Sequence, residues 1–398
     1  MVNKILNCRS CQSRSLEKIL DLKNLPLAGS FSEKKNSGKL FPLSLLKCDS
    51  CGLIQTGESI PKSDIFREYS YESGTSSFLV NHLESLGEFI NIFPKKNKIL
   101  EIGCNDGTLI NKLKNNGHFC LGVDPSNISK KYSKKNKWEL INNFFSFELT
   151  KDIIKNYGKF DIVVSTNSFA HNDEIEDITK GIWEVLRDNG HLIIEVQNGI
   201  DTLRKNQFDT IYHEHTCYFT PTSIHNLLSK NKFKIISINN IDIHNGSIRI
   251  VAKKLQPSSL KPFKEYKKDY EINSLIKNFQ ESISINKIKL GELLKSELKK
   301  GKKIIAYGAS GRSSILLNYY GLDKNQISYI VDNSKIKINK YIPNTDIKIN
   351  DKSFLLDNPP DIILITAWNY QKEIIEESRK DYKFKGKFIV PLPSLQII

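Results

Sequence analysis

The chain has 398 residues, of which 39% are hydrophobic and 26% charged; this is enough for about two or three packed domains and excludes a low-complexity or disordered polypeptide. The formal charge is +15, from 59 Lys and Arg against 44 Asp and Glu. The lysines are scattered among acids and form no basic stripe, so nucleic acid is not expected as the partner.

The N-terminal "MVNKILNCRS" has no apolar run of signal-peptide length, and no later stretch reaches membrane-spanning length. A cytoplasmic monomer without a membrane partner is therefore expected. Four of the 7 cysteines, Cys8, Cys11, Cys48 and Cys51, form two CxxC knuckles. In a chain without an export signal such knuckles favour a metal over disulfides, and four thiolates close a tetrahedral shell around structural Zn2+. Residues 1–65 are read as that zinc-binding module. Cys104, Cys120 and Cys217 read as buried small hydrophobes.

Residues 66–95 read as mostly helical, with Phe78, Leu79, Leu83, Leu86 and Ile90 at helical spacing. "NKILEIGCNDGTLINKL" then reads as strand, tight turn and helix, "HFCLGVDPS" as a strand ending in an acid, and "FDIVVSTNS" and "GHLIIEVQN" as two more strands around the helix-like "EIEDITKGIWEVL". This alternation predicts an α/β fold with a parallel, doubly wound Rossmann-like sheet over residues 66–255. In "EIGCNDG", Gly103 and Gly107 permit a tight turn close to a ligand, and Asp124 sits where an acid grips ribose hydroxyls. A nicotinamide site would want GxGxxG beneath a pyrophosphate. An acidic turn suits the cationic, phosphate-free S-adenosyl-L-methionine (SAM) better. The candidate set for that cofactor is Glu101, Gly103, Asn105, Asp106, Gly107, Asp124, Asn143 and Asn167.

The stretch "FDTIYHEHTCY" places Tyr212, His213, Glu214 and His215 together. A zinc-peptidase helix needs histidines four apart; spacing of two in an extended segment puts His213 and His215 on one face. His213 reads as a neighbour turned away from the chemistry, and His82 and His118 as surface or packing residues. Residues 256–398 read as a polar hinge, a long helix with an apolar stripe of Ile276, Phe279, Ile283, Leu290, Leu293 and Leu294, and a second Rossmann-like α/β domain from "KKIIAYGASGRSS" onward. The turn "YGASGRSS" reads either as a phosphate contact aided by Arg312 or as a helix start that needs small residues.

The paired knuckles, "LPLAGSF", "YSYESGTSS", "EIGCNDGTL", "NSFAHN", "FDTIYHEH", "HNGSIR" and "YGASGRSS" together resemble, nearly end to end, the zinc-module sugar C-methyltransferases that act on nucleotide-linked 4-keto-deoxysugars. The resemblance implies a zinc module, a central methyl-donor domain and a C-terminal Rossmann-like domain on the nucleotide side. It implies that Tyr212, Glu214 and His215 face the sugar with His171 and Tyr69, His215 being the base. A hydrogen on carbon beside a ketone is acidic because the enolate spreads its charge to oxygen, so the site needs a base near neutral pKa and donors for that oxygen. Where the resemblance would put an acid before the paired phenylalanines, this chain has Asn143. Two other readings stay open: an O- or N-methyltransferase on the same scaffold, and a zinc-ribbon nucleic-acid binder.

Overall fold

A computed structural model of the chain describes residues 2–35, 37–66, 72–93, 96–256 and 271–398. Its centre is a seven-stranded sheet in the order Phe233–Ile241, Ser247–Lys254, Leu186–Gln197, Phe160–Thr166, Lys98–Ile102, Phe119–Val123, Glu139–Ile141. Ser247–Lys254 runs antiparallel to its neighbours and the remaining pairings are parallel. The strands buried on both faces are short apolar runs such as "KILEI", as helix-covered parallel strands must be. Strand order reverses between Lys98–Ile102 and Phe160–Thr166, where such sheets open a crevice at their carboxyl ends.

The C-terminal part repeats the plan. Its five parallel strands, Ile349–Asp351, Ile330–Asp332, Ile304–Tyr307, Ile362–Ile365 and Lys387–Val390, are closed by the antiparallel Gln396–Ile397. The first turn of each sheet is held by the same device. The amide of Asn105 donates to Asp124 Oδ2 at 3.0 Å, and that of Ala309 to Asp332 Oδ2 at 2.7 Å. The "YGASGRSS" turn is a helix start: Ser310 and Ser313 form a capping box over Gly311–Tyr320.

The N-terminal sheet pairs Leu16–Pro26, Leu40–Cys48 and Ile54–Thr56 with a two-residue strand, Cys217–Tyr218, lent by the central part. The helix Ile272–Lys299 packs on the N-terminal strand Leu16–Pro26 and on the helix Gly199–Arg204; it buries Ile276, Phe279, Ile283, Leu290 and Leu294, while Leu293 is only half-buried. In the helix Ser77–Ile90 the expected stripe holds for Leu79, Leu83, Leu86 and Ile90, but Phe78 is 51% exposed on the outer face. Cys104, Cys120 and Cys217 are all buried. Among the described residues no helix is long and apolar enough to cross a membrane.

Candidate functional site

A cavity of about 340 Å³ opens at the carboxyl ends of the central strands. One side of it is the turn after Lys98–Ile102. Gly103 has φ +76° there, and a Cβ would lie 2.3 Å from the Ser168 side chain, which itself donates to the Ile102 carbonyl at 2.7 Å. Gly107 has φ +75°, and a Cβ would meet the Trp138 indole at 2.7 Å, so both positions require glycine. Asn105 Oδ1 accepts from the Ser73 amide, and Asp106 accepts from the amides of Gly74 and Thr108, so these side chains latch the loop at 73–74 onto the turn.

Glu101, Asp106 and Asp124 line this side together. Glu101 is 3% exposed, and its Oε2 has no partner among the described residues. Burial first, then Asp106 and Asp124, pushes its carboxyl well up. An orphaned acid crowded by two others is a place for a cation, and a sulfonium with an amino group fits it where a pyrophosphate would not. Asp124 Oδ1 also takes the Ser126 amide at 2.8 Å, which aims the carboxylate. Asn167, at φ +54°, lines the same side. Gly107 and Asn143 do not line the cavity; Asn143 Oδ1 accepts from the Phe144 amide, and the rings of Phe144 and Phe145 line the wall in its place.

The opposite wall carries His171, Tyr212, His215, Tyr218, His244 and Arg312. "FDTIYHEH" is not extended. Residues Phe208–Thr210 form a 3-10 turn, and the amide of His215 donates to the Tyr212 carbonyl at 2.9 Å, closing a second turn. The two histidines therefore diverge. His213 is 2% exposed, donates from Nε2 toward the Pro42 carbonyl and meets Phe41 edge-on, whereas His215 enters the cavity. The ring of His215 stacks on His171 at 4.7 Å between centroids and lies 3.9 Å from that of Tyr212. His215 Nδ1 is 2.9 Å from the Thr210 carbonyl. A carbonyl only accepts, so Nδ1 carries the proton and Nε2 holds a free lone pair.

The expectation of a base near neutral pKa is corrected here. Burial, then the neighbouring His171, pushes His215 well below the usual histidine range, and burial pushes His171 down to about 4. Glu214 does not line the cavity; its Oε2 is buried without a partner among the described residues, and burial pushes the carboxyl up to about 7. Tyr69 lies outside the described residues.

Several groups escaped the sequence reading. His244 lines the cavity in a left-handed conformation, φ +52°, and its only local signal is the "HNG" that precedes a strand. Arg312 is different: the sequence marks it as an aid to a phosphate contact, and it does reach the cavity from the C-terminal helix start, but its partner has no sequence signal; Nε and Nη2 lie on the fully buried Asp209 at 2.9 and 3.0 Å. Trp368 Nε1 donates to the same carboxylate at 2.8 Å. His82 is no plain surface residue: its Nε2 meets the buried Glu195 at 2.7 Å, and Arg249 holds that acid's other oxygen at 2.6 Å. His118 is buried and packs, as expected, with the Asn97 amide on its Nδ1.

Farther from the cavity, Cys8, Cys11, Cys48 and Cys51 offer sulfurs all within 4.8 Å of one another, with contacts of 3.5 and 3.6 Å. A tetrahedral shell at a Zn–S distance of about 2.3 Å needs edges of roughly 3.8 Å, so the donor set fits zinc.

Three family models match consecutive stretches: a candidate zinc-binding domain over residues 8–66, a methyltransferase domain over 77–238 and a C-methyltransferase C-terminal domain over 242–393. The C-methyltransferase NovU of Streptomyces niveus is 26% identical over the whole of this chain and 98% of its own. A ubiquinone biosynthesis O-methyltransferase of Pelagibacter ubique is 29% identical over 33% of this chain and 55% of its own. An S-adenosylmethionine-dependent methyltransferase structure from Mesorhizobium loti overlaps 44% of this chain and all of its own, at 12% identity and a TM-score of 0.35.

Proposed function

We propose a substrate and residue roles for a chain that is itself a SAM-dependent C-methyltransferase of the zinc-module family: the acceptor is a nucleotide-linked 4-keto-deoxysugar, methylated on the carbon beside its ketone. The observation that carries the reading is His215, whose Nδ1 proton is spent on the Thr210 carbonyl and whose Nε2 is left as a bare base on a cavity wall.

Methylating carbon requires a carbanion equivalent, and water at neutral pH makes too little of it. In this reading Nε2 of His215 takes the proton from the carbon adjacent to the ketone. Tyr212 and His171, packed against that ring, are the candidates to donate to the developing enolate oxygen. Tyr69 is assigned to holding the substrate; Glu214, expected beside it, lies off the cavity lining and is assigned instead to orienting the segment that carries the His215 imidazole. Among the described residues Arg312 is the only lysine or arginine on the cavity lining; with two of its nitrogens fixed by Asp209, Nη1 is left for the diphosphate. Bound SAM supplies the electrophilic methyl group; Glu101 and Asp124 would hold its cationic and ribose portions. Zinc, bound by Cys8, Cys11, Cys48 and Cys51, is structural because four sulfurs leave no open position. We place the boundaries of the three domains near residues 65 and 255.

A panel of thymidine, guanosine and cytidine diphosphate 4-keto-deoxysugars, incubated with labelled SAM, tests the reading. A gain of one methyl group at the carbon next to the ketone supports it. An ether or amine product, or methylation of none of the panel, overturns it.

A further inference from the structure

Arg9 lies inside the first knuckle, between Cys8 and Cys11, and is only 4% exposed. Its guanidinium spans three segments. Nε donates to Asp173 Oδ1 at 2.8 Å, Nη1 to the Thr56 carbonyl at 2.5 Å, and Nη2 to Thr56 Oγ1 and the Glu58 carbonyl at 3.3 and 3.2 Å. The Arg9 amide adds a bond to Gln55 Oε1 at 2.9 Å.

These contacts lead to the two stacked histidines of the cavity wall, His171 and His215. Asp173 follows the 3-10 turn Phe169–His171 by two residues, and its second oxygen is held by Ser59 Oγ. On the other branch, the Thr56 amide donates to the Thr216 carbonyl at 3.0 Å, and Ile54 and Gln55 pair with Tyr218 and Cys217. Thr216 adjoins His215 in the chain, and its hydroxyl donates to the Ala170 carbonyl at 3.1 Å, one residue before His171. A single buried guanidinium thus ties the residues that flank His171 to the strand against which the residues after His215 are pinned. The stacked rings are where the two branches meet.

We infer that Arg9 is a positioning residue for the reaction: the cysteine knuckle carries the cation that sets His171 and His215 against each other. The fork geometry is what the role demands, since three donor nitrogens in one plane hold a carboxylate and two carbonyls at fixed relative positions, and a point charge could not. The inference rests on the proposed roles of His171 and His215.

Three variants test it: Arg9→Met, Arg9→Lys and Asp173→Asn, the last leaving the knuckle untouched. With 8 histidines in the chain, ring carbon–proton NMR signals can be assigned by single substitutions. In zinc-loaded, folded Arg9→Met and Asp173→Asn, the His171 and His215 signals should move as their stacking changes, while the His118 signal stays. On thymidine diphosphate 4-keto-6-deoxyglucose as probe, kcat should fall about 10²-fold with KM and SAM affinity nearly unchanged, the signature of a misplaced rather than an absent group. Arg9→Lys, keeping the charge without the fork, should fall between. Unmoved ring signals in Arg9→Met and Asp173→Asn, or rates that fall only with the folded fraction, would overturn the inference. If Arg9→Met does not fold, Asp173→Asn decides. A His215→Ala control separates the premises: should that variant remain active, the base assignment fails; should it be dead while the Arg9 and Asp173 variants behave as native, only the positioning role fails.

Discussion

Replacing Arg312 by methionine should loosen the seam between the central and C-terminal parts of the chain. The side chain is 16% exposed and its partner Asp209 is fully buried, so the pair is screened little by solvent. Methionine keeps the apolar stem that lies under the guanidinium, 4.7 Å from the Trp368 ring, but leaves the Asp209 carboxylate with the Trp368 indole as its remaining charge-stabilising donor. Breaking a buried ion pair from one side costs about 3–5 kcal/mol, against a total stability on the order of 5–15 kcal/mol. Adding Asp209→Asn to Arg312→Met removes the stranded charge, so the double variant should be more stable than the sum of the single losses implies, by about 1–3 kcal/mol. Urea unfolding followed by tryptophan fluorescence reads this directly, since Trp368 is one of 3 tryptophans and sits at the seam. A loss below about 1 kcal/mol for Arg312→Met, or strictly additive losses in the double variant, would refute the view that this pair is a buried clamp.

Other outcomes follow from the same geometry. Purified protein should carry one zinc per chain, and Cys48→Ser should lose it together with thermal stability; elemental analysis and calorimetric melting check both. Asp124→Ala should weaken SAM binding by roughly 1–3 kcal/mol in isothermal titration, the cost of leaving ribose hydroxyls unpaired, while NAD should not bind the native chain. Burial pushes His213 down to about 4, so between that value and the ordinary 6.5 the folded chain binds fewer protons than the unfolded one. Its contribution is complete above pH 6.5 and is lost as pH falls towards 4, costing about 2 kcal/mol at pH 5. Urea midpoints at pH 7 and 5 should differ less in His213→Gln than in the native chain.

Much of the fold is legible because parallel strands covered on both faces must be apolar runs, and these alternate with helices at recognisable spacing. The strands read from sequence at Lys98–Ile102, Phe119–Val123, Phe160–Thr166 and Ile304–Tyr307 are of that kind. The antiparallel pair Phe233–Ile241 and Ser247–Lys254, partly exposed and punctuated by asparagine and lysine, leaves no such run. Cys217–Tyr218 is two residues long and joins a sheet whose other strands lie more than 150 positions away, so its pairing has no local trace. The site shows the same division. The glycine turn and its acids announce a ligand because backbone sterics demand those residue types in sequence. The divergence of His213 and His215 depends on a turn that extended-chain spacing cannot foresee. Glu195 with His82 and Arg249, and Asp209 with Arg312, are charged partners brought together from distant segments; Arg312 stands in a recognisable turn, but the others look like surface residues until their partners are known.

The central claim is that His215 removes a carbon-bound proton, and solvent exchange without any methyl donor isolates that step. Incubated in deuterated water with thymidine diphosphate 4-keto-6-deoxyglucose, the native enzyme should exchange hydrogen on the carbon beside the ketone. Followed under subsaturating substrate, the rate should hold steady as pH drops from 7 through 6.5 and fall only below, because burial and His171 keep the free enzyme's His215 neutral there. His215→Ala should lose exchange and methylation together, by about 10²–10⁴-fold. Exchange at the native rate in His215→Ala would contradict the account, as would an active native enzyme that methylates carbon yet never exchanges that hydrogen.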